Sequence, residues 1–107
     1  MAGGIDTIGQ RLRPHGGSKT VTTSGTAVPL VAASTPVYML YVRAKNANTG
    51  AIYFGDSAVD KTTSQQVILS AGDSVTITPP HGNRVDLVDF YIDAAINLEG
   101  VDLLYIS

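Results

Sequence analysis

The sequence contains no cysteine and no tryptophan, and its single glutamate is Glu99. Without cysteine there is no disulfide, no thiolate metal site and no cysteine nucleophile, so redox chemistry leaves the compartment open. Scarce glutamate starves any helix of its usual surface residues, while valine, isoleucine, threonine and tyrosine are abundant. The expected class is therefore all-β. No apolar run approaches the roughly 18 residues needed to span a bilayer, and the N-terminus lacks the hydrophobic segment of a secretory signal. The expectation is a soluble protein made in the cytosol, with no membrane partner. A net charge of −2 argues against general nucleic-acid binding.

At 107 residues, 44% of them hydrophobic, the chain fits one domain able to bury well over half of its unfolded surface. The stretch that organises it is 37–55, VYMLYVRAKNANTGAIYFG, expected as a central β-hairpin. Val37, Met39, Tyr41, Arg43 and Lys45 alternate with Tyr38, Leu40, Val42 and Ala44, so one side turns cationic toward the loop while the other stays apolar. Asn46, Asn48 and Gly50 supply residues that tolerate positive φ, and Ala51, Ile52, Tyr53 and Phe54 resume an apolar strand.

Residues 1–19, MAGGIDTIGQRLRPHGGSK, carry no sustained periodicity and read as a flexible arm. Arg11, Arg13 and Lys19 against Asp6 give the arm a charge of +2, whereas residues 20–107 carry −4. Ile5, Ile8 and Leu12 stand at spacings of three and four, which would form one short apolar face if the arm ordered on a partner. Arg11 and Arg13 would then seek acidic groups on it.

From residue 20 onward the pattern is of short strands. Segment 20–33 suggests two, broken at Ser24 and Gly25, with Pro29 confining the second to a sheet edge or a bulge. Segment 56–64 is loop-like and 66–69 a strand. Ala71, Gly72 and Asp73 turn into 74–78, and residues 79–83 are irregular. Segments 86–93 and 101–106 supply the last two strands, with a loop over 94–100. About eight strands at short, regular spacing favour a two-sheet sandwich of Greek-key or jelly-roll type over 20–107, preceded by the extended arm.

Catalytic signals are weak. The histidines, His15 and His81, read as exposed loop residues and lack the close spacing of a metal site. Ser74, His81 and Asp86 can be drawn as a triad, but no strand-to-helix elbow surrounds the serine. Asp86, Asp89 and Asp93 fall in or beside one expected strand, Asp89 and Asp93 on one face, with Asp102 on its expected neighbour. Acidic residues on a solvent face or guarding an edge explain them better than a calcium site, since the EF-hand spacing is absent. No glycine-rich loop precedes a lysine and a helix, so no phosphate cradle is expected. The five tyrosines all fall in expected strands, as core or interface residues. The residues thus point to no cofactor, no metal and no enzyme.

Segment 44–77, AKNANTGAIYFGDSAVDKTTSQQVILSAGDSVTI, and DLVDFYIDAAINLEGVDLLYI near the end resemble small virion structural proteins of tailed bacteriophages. The likeness lies in an asparagine and glycine turn, an aromatic strand closing on Gly55 and Asp56, a turn into the polar-alternating strand at 69–77, and the YIDA segment at 91–94. It implies a particle component located in the virion after synthesis in the host cytoplasm. The leading expectation is a capsid decoration or cement protein. It would form a homo-oligomer, dimer or trimer, that bridges major capsid protein subunits, with Ile5, Ile8, Leu12, Arg11 and Arg13 of the arm as partner-binding residues. A tail, baseplate or head-fibre subunit is the alternative within the class, and a carbohydrate-binding module the alternative outside it.

Overall fold

The computed structural model describes residues 11–107. These form ten strands and one short 3-10 turn, and every strand pair is antiparallel. In chain order the strands are β1 Pro14–Val21, β2 Val28–Pro29, β3 Pro36–Val37, β4 Met39–Ala44, β5 Ile52–Gly55 and β6 Val67–Leu69. There follow β7 Ser74–Ile77, β8 Val85–Asp86, the turn Leu87–Asp89, β9 Tyr91–Ala94 and β10 Glu99–Ile106. One sheet runs β1-β10-β4-β7 and the second β2-β9-β5-β6, while β3 and β8 make a separate two-stranded ribbon. The fold is thus the expected β-sandwich.

The pairing is nested. β5 pairs with β6, β4 with β7, β2 with β9 and β1 with β10, as if a long antiparallel ribbon had been folded at 56–66 and rolled up. Two further contacts, β10 with β4 and β9 with β5, close each sheet.

Period-two alternation builds the core between the sheets. Leu40, Val42 and Ala44 of β4 and Val101 and Leu103 of β10 meet Ile52 and Phe54 of β5, Leu69 of β6, and Ile92 and Ala94 of β9. Phe54 and Phe90 stack with centroids 5.5 Å apart and planes 2° from parallel. Leu87, on the 3-10 turn, and Val37 fill the core as well. Val37 lies inside because the chain bends at Tyr38, whose N–H donates to the Ile106 carbonyl at 2.8 Å. The single alternation expected over 37–45 therefore slips at that residue, and Val37 shares the interior with Leu40.

Stretch 37–55 is not a hairpin. β4 lies in one sheet and β5 in the other, and residues 45–51 cross between them. The crossing is held by Glu99, which accepts from the N–H groups of Thr49 (2.7 Å) and Gly50 (2.9 Å) and from the Thr49 hydroxyl (2.8 Å). Nor does Gly50 have positive φ. What forbids a side chain there is space, since a Cβ would lie 2.7 Å from Ile96 Cγ1 and 3.0 Å from Ala95 Cβ. The turn at 71–73 does use a positive φ, of 84° at Gly72, and it too carries the chain from one sheet to the other.

Pro29 stands on an edge strand, as its missing N–H requires. The expected arm ends sooner than Lys19, because Pro14–Val21 is a strand laid along β10 from Ile106 to Glu99. Its glycines give no side-chain pattern to read, yet Gly17, opposite Leu103, turns its backbone groups to β10 as any other residue would.

Candidate interaction surface

Opposite the core, the outer face of the β1-β10-β4-β7 sheet carries cross-strand rows. Pro14, Ile106 and Met39 form one row, Gly16, Leu104, Tyr41 and Thr76 the next, and Ser18, Asp102, Arg43 and Ser74 the third. Met39, Tyr41 and Ile106 are half-buried, and Leu104 is 41% exposed because its β1 neighbour, Gly16, has no side chain to cover it. The result is an apolar stripe facing solvent. Asp102 closes one end of it, taking Arg43 and Lys45 at 3.2 Å each. Partial burial raises the Asp102 pKa, but the two cations outweigh it and hold the carboxyl below the ordinary value.

At the other end, Arg13 and Ser107 exchange both backbone hydrogen bonds and extend the β1–β10 ladder by one pair. Leu12 is 50% exposed and lines an open groove of about 450 Å³ with Tyr38, Pro79, Pro80 and His81. Arg84 sets its guanidinium over the Tyr38 ring, 5.6 Å from the centroid. Of the five arm residues singled out, Ile5 and Ile8 lie outside the described residues. Arg11, Leu12 and Arg13 are exposed and not helical, so the helical spacing that linked Leu12 to the isoleucines does not describe its backbone.

The aspartates separate. Segment 86–93 is not one strand. Asp86 caps the 3-10 turn by accepting from Val88 N–H at 3.0 Å, and it also accepts from the Thr35 N–H (2.8 Å) and the Ser34 hydroxyl. The Ser34 hydroxyl and then these two N–H groups hold its pKa down. Asp89 falls within the turn, so it shares no strand face with Asp93. Asp102 does not adjoin them either, because β9 and β10 lie in different sheets.

Asp93 departs furthest from the solvent-face expectation, being fully buried. It points to the outer side of its sheet, where the loops at 22–27 and 56–66 cover it. Its Oδ1 accepts from Gly25 N–H (2.9 Å) and its own neighbour Ala94 N–H (2.8 Å), and its Oδ2 from Lys61 N–H (2.9 Å). Around it, Lys61 Nζ donates to Ser24 Oγ at 2.8 Å, and Ser24 N–H to Asn97 Oδ1 at 2.7 Å. Three backbone donors, two of them from the covering loops, make this a clasp for two loops. A buried carboxylate cannot be told from an edge guard by alternation, because only the loops folding over it bury it.

Among the described residues no group of three or more histidine, cysteine or acidic side chains converges as a metal site. No protein-family model matches the chain, and comparison with curated proteins and with solved structures returns no significant match.

Proposed function

We propose that this chain is a structural component of a bacteriophage virion, a decoration protein that self-associates and bridges major capsid protein subunits on the head. The observation that carries the assembly role is the solvent-facing stripe of Met39, Tyr41, Leu104 and Ile106, bounded by the Asp102 ion pairs. Contiguous apolar side chains facing solvent, with ion-paired groups at one end, suit the apolar centre and polar rim of a protein interface. The choice of particle rests on the resemblance of 44–77 and 86–106 to small virion proteins. We read the nested strand pairing as a jelly roll, an architecture common in capsid proteins that manages strand edges by rolling a ribbon into two sheets. Residues Ile5, Ile8 and Leu12 would add apolar contacts with the capsid, and Arg11 and Arg13 contacts with its acidic groups.

Binding of the purified chain to undecorated heads tests the reading. Leu104→Lys puts a charge in the stripe without touching the core, and should lower occupancy severalfold while leaving the unfolding midpoint unchanged. Removal of residues 1–10 tests the arm, since a cut at Lys19 would strip β1 from its sheet. Full-chain occupancy indistinguishable from that of an unrelated protein of the same charge overturns the proposal.

A further inference from the structure

The free edge of β1 is the most extended unsatisfied feature of the described residues. Arg13 and Ser107 form a pair that exchanges both hydrogen bonds, N–H to O at 2.8 and 3.0 Å. In an antiparallel ladder such pairs alternate with pairs that exchange none. His15, Gly17, Lys19 and Val21 therefore aim their backbone groups at β10, and Pro14, Gly16, Ser18 and Thr20 aim theirs away. Pro14, which has no N–H, stands at an outward position, as it must. The outward side presents the N–H groups of Gly16, Ser18 and Thr20 and four carbonyls, and among the described residues no strand pairs with it. Pro14, His15, Gly16, Gly17 and Ser18 are all exposed.

We infer that β1 is the self-association edge of this protein, pairing antiparallel with β1 of a second copy about a two-fold axis through Ser18. The register is self-complementary. Ser18 faces Ser18 of the second copy, Gly16 faces Thr20, and Lys19, the only charged side chain from Gly16 to Val21, faces Gly17 and not another lysine. Gly16 and Gly17 leave nothing to collide. Such pairing is isologous and closes at two copies. Pairing β1 with the opposite edge, β7, would be head-to-tail and would match eight residues with four. The two-fold axis stands perpendicular to the joined sheet, so the apolar stripes of both copies come to the same face. For the decoration role this makes a bivalent platform, in which two weak contacts with the capsid act together. The inference gives the self-association in that reading a surface, but its geometry stands on the strand alone.

Sedimentation velocity on the full chain, with no capsid present, tests it, so failure here is separable from failure to bind heads. The wild type should sediment as a dimer. Ser18→Pro deletes one outward N–H per copy and leaves the β10 ladder whole, and the preceding Gly17 accepts a following proline without a Cβ clash. It should weaken dimerisation at least about tenfold with an unchanged circular dichroism spectrum, whereas Ser18→Ala, which keeps the N–H, should not. Ser18→Lys and Ser18→Glu should each be monomeric alone and dimerise when mixed, which depends on the two side chains facing each other. A wild-type monomer up to the solubility limit, or a dimer indifferent to Ser18→Pro and to both charged variants, overturns the inference.

Discussion

The backbone N–H of Lys61 donates to Oδ2 of the buried Asp93 at 2.9 Å, tying a loop to the strand 32 positions later in the chain. With Gly25 N–H on the other oxygen at 2.9 Å, one carboxylate fastens both loops that cover the outer face of its sheet. Asp93→Asn keeps the volume but turns one acceptor into a donor, leaving either Lys61 or Gly25 and Ala94 facing an N–H. Stranded buried donors cost roughly 1–3 kcal/mol. Urea unfolding should show a midpoint lowered accordingly, with hydrogen exchange accelerated in the loops at 22–27 and 56–66. An unchanged midpoint would remove Asp93 from the role of clasp.

Leu98 has φ of 66° and is 71% exposed. The left-handed region costs a residue with a Cβ about 1–2 kcal/mol, and here no burial of the side chain offsets it. Leu98→Gly relieves that strain while adding some chain entropy to the unfolded state, so a net gain of roughly 0.5–1 kcal/mol is expected. Thermal unfolding of the two proteins side by side measures it, and a loss of stability would show that the exposed leucine packs against something in solution.

Acid should weaken the fold through its capping carboxylates. Asp60 is held well below the usual carboxylate range by the Thr62 hydroxyl and the Thr62 and Thr63 N–H groups, and Glu99 is lowered by the Thr49 and Gly50 N–H groups. Asp86 is lowered by Ser34, Thr35 and Val88. In each the folded pKa lies below the unfolded one of about 4, so between the two values the unfolded chain binds more protons. The stabilisation is complete above that unfolded value and fades as pH falls through the folded ones. Urea midpoints should be level from about pH 7 to 5 and decline below about pH 4. A midpoint that rises on acidification would contradict the assignment of these three carboxylates as charged caps.

Much of the fold was legible in the side-chain pattern. Alternation in 39–44 and 74–77, the apolar run at 52–54 and the turn at Gly72 mark strands wherever one face is buried, because pleating forces a period of two. Where burial does not depend on side chains, the pattern is silent. The Gly16–Gly17 stretch of β1 brings no side chain to the sheet and keeps its place through the backbone ladder to β10, so it reads as a loose arm.

What the sequence by itself determined is the class: β-branched and aromatic residues in short alternating runs, one glutamate and no cysteine leave an all-β chain with an apolar core as the stable outcome. Only the tertiary structure decided that β4 and β5 part into different sheets, because a polar link of seven residues can make a hairpin or a crossing, and Glu99, far along the chain, selects the crossing. The same holds for the outer stripe of Met39, Tyr41, Leu104 and Ile106. Each residue's face is fixed locally by the pleat, but their convergence on one surface follows from the register of β10 against β4, a relationship between segments about sixty residues apart.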